Sequence, residues 1–170
     1  YSKAVEHYYH TRYPDKDIVF VNKGIGGNMS LELKQRIGWD IIDDKVAGDI
    51  DEATIMLGMN DIVVAPMDGS KKDIYMTDET VQKEKLDVYL NDLEIIIKKC
   101  LDANISLTFI TSSLYDDSTG FTGAKSEGYT NGINEILGKG MEELKKLAAK
   151  YDRPVIDLWT PTTEITETVR

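Results

Sequence analysis

The sequence predicts an α/β protein, a parallel sheet with helices on both faces, and three observations carry that prediction. Short apolar, β-branched runs recur at residues 17–22, 53–58, 106–112 and 154–159. Amphipathic helical patterns separate them, the clearest spanning 80–103 and about 128–151. Each apolar run ends in a polar or glycine-rich cluster. Continuous apolar runs suit strands buried on both faces, and strands spaced by helices call for right-handed crossovers into a parallel sheet.

In chain order, an amino-terminal helical pattern carries His7 and His10 on its polar face, where they read as solvated surface. The run DIVFVN (17–22) follows and breaks into NKGIGGN, with three glycines among positions 24–27. Glycine clusters of this kind are kept where φ must be positive or where a partner approaches the main chain closely. The run ATIMLG (53–58) ends in GMND, and a polar stretch at 65–75 reads as a mobile loop. In the helix at 80–103, Leu86, Tyr89, Leu90, Leu93, Ile96, Ile97, Cys100 and Leu101 keep one apolar face, and Thr77 or Asp78 can cap its start. The run SLTFITS (106–112) leads into TSSLYDD, and the second long helix presents Ile133, Ile136, Leu137, Met141, Leu144 and Leu147. PVIDLW (154–159) closes the series and runs into DLWTPT. With no repeat and no linker, residues 1–170 read as one domain.

Composition narrows the partners. A formal charge of −10 argues against nucleic acid, whose binding relies on clustered Lys and Arg, and favours a neutral or cationic ligand. No run approaches the length of a membrane span, and 41% hydrophobic residues suffice for an ordinary soluble core. The single cysteine, Cys100, falls on the apolar side of a helix and reads as core.

Ligands of open parallel sheets bind beyond the carboxyl ends of the strands, so all four polar clusters are expected along one edge. There Gly26 and Gly27 offer backbone N–H groups and Asn60 an amide donor. Taken singly, Asn60-Asp61 reads as a turn and helix cap, and Tyr115-Asp116-Asp117 is equally a polar turn. The glycine loop is no Walker sequence, for it lacks the Lys-Ser/Thr pair, and Met29 stands where a G-x-G-x-x-G fingerprint from Gly24 needs glycine. Asp43, Asp44, Asp49 and Asp51 do not match a calcium loop, and no metal site is expected.

Together, N-x-G-x-G-G-N after one strand and L-G-x-N-D after the next resemble the second and third blocks of the SGNH hydrolases, the GDSL lipase/esterase family. The resemblance continues through FITSSLYDD and VIDLW. It implies a three-layer α/β/α sandwich of the SGNH or flavodoxin-like type and a serine esterase acting through an acyl-enzyme, with short acyl (acetyl) esters of carbohydrates the favoured substrates. By the same resemblance Gly27 supplies a backbone N–H and Asn60 a side-chain amide to an oxyanion hole. Gly26, Asn28, Asp61 and Tyr115 are then expected at the substrate. No cofactor is implied, a secreted or periplasmic setting is weakly favoured, and homo-oligomers are compatible with it.

The chain departs from that pattern in two blocks. Ser30, Ser112 and Ser113 do not sit in G-D-S, and neither histidine sits in D-x-x-H, so no nucleophile or base is assigned. The family's G-D-S block would precede Tyr1 and its D-x-x-H block would follow Arg170, so the domain reads as truncated at both ends and inactive by itself. Two rival readings stand beside the esterase: a catalytically inactive binding module, and a flavodoxin-like nucleotide-binding domain. Met29 replaces a small hydroxyl residue common in the family, which leaves the cap of the following helix open. In the family order the serine's strand lies between 17–22 and 53–58. Those two strands are therefore expected to face a gap filled by a further segment or a neighbouring molecule, or else to pair directly.

Overall fold

A computed structural model describes residues 2–43, 50–63, 78–115 and 132–169. Helix α1 spans Ser2–Arg12 and α2 spans Ser30–Ile37, prolonged by one wide π-type turn over Gly38–Ile42. Strand β1 (Glu52–Ile55) leads through the short helix α3 (Met59–Val63) toward α4 (Glu79–Asp102). Strand β2 (Ser106–Ile110), α5 (Ile133–Lys150), β3 (Val155–Ile156) and α6 (Trp159–Val169) complete the order. The strands are parallel in the order β1-β2-β3, with Ile55 opposite Phe109 and Phe109 opposite Val155. The fold is α/β, consistent with an α/β/α sandwich.

The two long helices start and stop for identifiable reasons. Asp78 caps α4, its carboxylate accepting from the N–H groups of Thr80 (2.8 Å) and Val81 (3.4 Å). At the other end Asn104 takes a left-handed φ of 59°, and the Ile105 N–H turns back to the Cys100 carbonyl at 2.8 Å. Helix α5 ends in the same way, with Asp152 at φ 53° and the Arg153 N–H on the Ala148 carbonyl at 2.9 Å. This left-handed stop satisfies the last helical carbonyls and swings the chain straight into the next strand.

Between helices and sheet lies the core. Leu93, Ile96, Ile97 and Cys100 of α4 and Leu137, Met141 and Leu144 of α5 are buried with Leu107 and Phe109 of β2. Cys100 is in the core as its position on the helix predicts, and burial pushes its thiol up to about 11. Among the described residues no helix is long and apolar enough to cross a membrane.

The first predicted strand is corrected. Residues 17–22 form no strand: Val19 is 69% and Val21 44% exposed, and the run's contacts are local. The His10 Nε2–H donates to the Ile18 carbonyl at 2.8 Å, and the Phe20 ring lies 5.6 Å from that of Tyr9. No described strand pairs with the other side of β1, nor does 17–22 pair with it directly. A run becomes a strand only when a neighbouring strand takes its N–H and C=O groups, and among the described residues no strand lies beside this one. The remaining strands are also shorter than their apolar runs. In β2 Leu107, Phe109 and Ile110 are all buried, so its carboxyl end is enclosed on both faces, while Met56 just past β1 and Ile156 of β3 are about half exposed. The stretch 65–75, Thr77, residues 128–131, Asp44 and Asp49 lie outside the described residues.

Candidate functional site

Parallel pairing places the ends of β1, β2 and β3 along one edge of the sheet, and the polar clusters of the sequence follow those ends. After β1, Gly58 turns the chain at φ 122° in a place where a Cβ would lie 2.8 Å from Tyr89 Oη and 2.9 Å from Met141 Cε. The Tyr89 hydroxyl donates to the Leu57 carbonyl at 3.0 Å, so buried groups hold the chain just ahead of α3. Ile62 of α3 lies against Gly140 of α5, where a Cβ would come within 2.2 Å of Ile62 Cδ1. Asn60 therefore rides on a short helix pressed into α5.

Opposite it stands the glycine loop. Residues 25–28 form a turn closed by the Asn28 N–H on the Ile25 carbonyl (3.2 Å), with Gly27 at φ 85° and both Gly26 and Gly27 exposed. Negative φ at Gly26 followed by positive φ at Gly27 is the type II arrangement, which favours glycine at its third position. A Cβ on Gly27 would meet nothing within 4 Å, so conformation, and no crowding within the protein, selects glycine there.

Three hydrogen bonds join the loop and the first residue of α2 to α3. The Asn60 Nδ2 amide donates to the Asn28 carbonyl at 3.1 Å. Next to it Asp61 Oδ1 accepts both from the Ser30 N–H at 2.8 Å and from the Ser30 hydroxyl at 2.5 Å. Ser30 and Asp61 are both buried, and Asp61 Oδ2 and Asn28 Oδ1 are enclosed without a hydrogen-bond partner. Burial raises the Asp61 carboxyl above its ordinary value against the opposing pull of the Ser30 bonds. Lys85 is lowered by its own burial, with the Asp61 charge acting in the other direction. The cap left open by Met29 is thus filled twice: the Met29 N–H donates to Glu32 Oε2 at 2.8 Å, and the next N–H, that of Ser30, goes to Asp61.

The other two strand ends are polar and braced as well. After β2, Asn134 clamps Tyr115 through both main-chain groups, accepting from its N–H at 2.8 Å and donating to its carbonyl at 3.0 Å. Tyr115 is part-buried against the core; Asp116 and Asp117 lie outside the described residues. The buried Thr111 hydroxyl donates to Asp157 Oδ1 at 3.1 Å and accepts from the N–H groups of Leu158 and Trp159. Asp157 also pairs with Lys145 at 2.7 Å and takes both the N–H and the hydroxyl of Thr160. Burial opposes ionisation there, but these bonds outweigh it and hold the Asp157 carboxyl well below its ordinary range.

Of the six residues singled out in the sequence, Asn60 is bonded to Asn28, the adjacent Asp61 is bonded to Ser30, and Gly26 and Gly27 form the turn beside them. Tyr115 follows another strand on the same edge. Both histidines sit on exposed α1, as read from the sequence. No group of three His, Cys, Asp or Glu among the described residues is placed to hold a metal ion. Ser30 and Asn134 were not singled out as anchors; the one available signal for Ser30 was a small hydroxyl residue immediately ahead of the helical pattern.

The comparisons with known proteins bear on the fold. No family model and no curated protein sequence matches the chain. Solved structures do. Axe2, an acetylxylan esterase from Geobacillus stearothermophilus, aligns over 97% of this chain with a TM-score of 0.69 at 22% identity. The acetyl xylan esterase AlAXEase aligns over 95% with a TM-score of 0.66 at 19% identity. A gut microbial diltiazem-metabolizing enzyme aligns over 99%, with a TM-score of 0.72 at 20% identity and 35% of its own chain covered. The chain spans 65% of the first of these esterases and 70% of the second. At such identities the likeness is one of fold.

Proposed function

We propose that this chain carries the oxyanion-binding part of an ester hydrolase of the SGNH type, acting on short acyl, above all acetyl, esters of carbohydrates through a serine acyl-enzyme. The observation that carries the reading is the junction of the exposed Gly26-Gly27 turn with the Asn60 amide, bridged at 3.1 Å through the Asn28 carbonyl. An amide has two N–H hydrogens; Asn28 holds one, and the other is left to donate outward. A main-chain N–H at Gly27 and this side-chain N–H are the kind of preorganised donors that stabilise the negative oxygen of a tetrahedral intermediate. No metal or organic cofactor takes part, and neither the nucleophile nor the base is assigned to a residue of this chain. The fold shared with two acetylxylan esterases supports the substrate class.

The test is Asn60→Ala in the intact natural protein, assayed on p-nitrophenyl acetate and on an acetylated xylooligosaccharide. Loss of one donor should lower kcat by about 10² to 10³ with little change in KM. Unchanged turnover would refute the oxyanion role, and carbohydrate binding without any hydrolysis would favour a binding module of the same fold.

A further inference from the structure

Asp61 and Ser30 form a polar contact that the proposed chemistry does not itself require. Both are buried, at 8% and 2% exposure, and they lie 31 residues apart in the sequence. Enclosing a carboxylate is unfavourable unless strong hydrogen bonds compensate, and here two Ser30 donors converge on one oxygen while the other oxygen has no partner. An apolar pair would pack such a junction at less expense. What the carboxylate adds is direction, because it fixes the first N–H of α2 and the hydroxyl of the same residue at once.

The consequence follows from the order of residues along the chain. Asn28, whose carbonyl anchors the Asn60 amide, lies between Gly27 and Ser30. Adjacent residues of α3 thus grip the loop at two points two residues apart. Once Asp61 has set Ser30, the Asn28 carbonyl and the Gly27 main chain have little freedom left.

We propose that Asp61 is a positioning residue: through Ser30 it fixes the glycine turn against α3, and so aims the Gly27 N–H and the Asn60 amide at the oxygen they hold. This rests on the oxyanion-binding reading of Gly27 and Asn60. Asp61 itself does not touch the reacting atoms; its buried carboxylate is engaged with Ser30, which distinguishes this role from the substrate contact expected from the sequence.

A double-mutant cycle on kcat tests it in the intact natural protein with p-nitrophenyl acetate as substrate. Asp61→Ala should lower kcat by about 10-fold or more with KM changed less than about twofold, since an interaction felt only in the transition state is weakened. The decisive readout is coupling. With Asp61 in place, Asn60→Ala lowers kcat by about 10² or more; with Asp61→Ala already present, the same change should lower it by less than about 10-fold, because an unaimed amide has little left to lose. A residue that only stabilised the fold would leave the two losses multiplicative. Should Asp61→Ala fold poorly, Ser30→Ala keeps the carboxylate and one of its two bonds, and it should show a smaller loss with the same sign of coupling to Asn60→Ala. Multiplicative losses, or an Asp61→Ala enzyme within twofold of wild type, overturn the positioning role while leaving the oxyanion reading intact. An Asn60→Ala enzyme with full turnover, or a wild-type protein without esterase activity, removes both.

Discussion

Residues 17–22 and 53–58 are two apolar runs of equal length with similar β-branched character, yet one stays an exposed extended segment and the other becomes part of the sheet. Run 53–58 enters β1, where Ile55 is 5% exposed and the ladder to β2 begins as soon as the Ser106 N–H reaches the Asp51 carbonyl at 2.9 Å. Run 17–22 leaves Val19 and Val21 in solvent and rests on α1 through the Ile18 carbonyl and the Phe20 ring. The difference lies in the neighbours. Helix α4, capped at Asp78 and stopped at Asn104, returns the chain beside β1 and delivers β2 into register. No described element returns beside 17–22. Strand propensity is a readiness to pack on a pleated surface, and without that surface it has no effect.

The same contrast between enclosed and open divides the two loop glycines, which yields the largest predicted effect. Gly58 and Gly27 both have positive φ, but only Gly58 is walled in by Tyr89 and Met141. Gly58→Ala should destabilise by about 3 kcal/mol, strain and overlap acting together, read as a lowered urea midpoint with unchanged slope. Gly27→Ala should cost about 1 kcal/mol, the left-handed penalty alone, while still impairing turnover by hindering approach to its N–H. Equal losses at the two positions would break the distinction, and full activity with a normal melting temperature in Gly27→Ala would show that the turn needs neither.

A smaller effect tests the amino-terminal run itself. Leu107→Ala, in the ladder and fully buried, should cost about 3 kcal/mol. Val21→Ala, at 44% exposure, should change stability by less than about 0.5 kcal/mol. A Val21→Ala loss above about 1.5 kcal/mol in chemical denaturation would show that the run has found a partner strand in solution.

These contrasts also mark what the sequence could reveal. The sheet, both long helices, the Asp78 cap and the buried Cys100 were legible because each rests on local periodicity or on a local cap. The meeting of the glycine loop with Asn60 was expected from the rule that parallel strands put their carboxyl ends together, but 17–22 is no strand, and it is the bonds of Asn28 and Ser30 to α3 that hold the loop there. Three things escaped. The failure of 17–22 to pair depends on a neighbour, which no property of DIVFVN encodes. The Ser30–Asp61 contact spans 31 residues, and Asp61 within GMND is as good a turn former as a buried anchor. Asn134 sits at the first turn of α5, where an amide reads as a solvated helix residue until the Tyr115 backbone is seen against it.

The smallest effect separates two carboxylates at the sheet's carboxyl edge whose surroundings act in opposite directions. Asp157 is held below its ordinary value, so the unfolded chain takes up its proton first as the pH falls. Its contribution to stability is therefore complete above the ordinary value of 3.8 and is lost as acid protonates the folded form. Asp61 is raised above the same value, so the folded chain keeps the proton longer as the pH rises. Its carboxylate therefore lowers stability progressively between 3.8 and its raised value, and the deficit persists at higher pH. Urea midpoints measured at intervals from pH 3 to pH 7 should separate the two. The stability of Asp157→Asn relative to wild type should improve as the pH drops below 3.8, because the wild-type advantage disappears there. The stability of Asp61→Asn relative to wild type should instead improve as the pH rises above 3.8, whatever constant loss the altered Ser30 contact brings. Slopes of the same sign for both variants would mean that the Ser30 hydrogen bonds outweigh burial at Asp61 in solution, and the predicted contrast between the two carboxylates would fall.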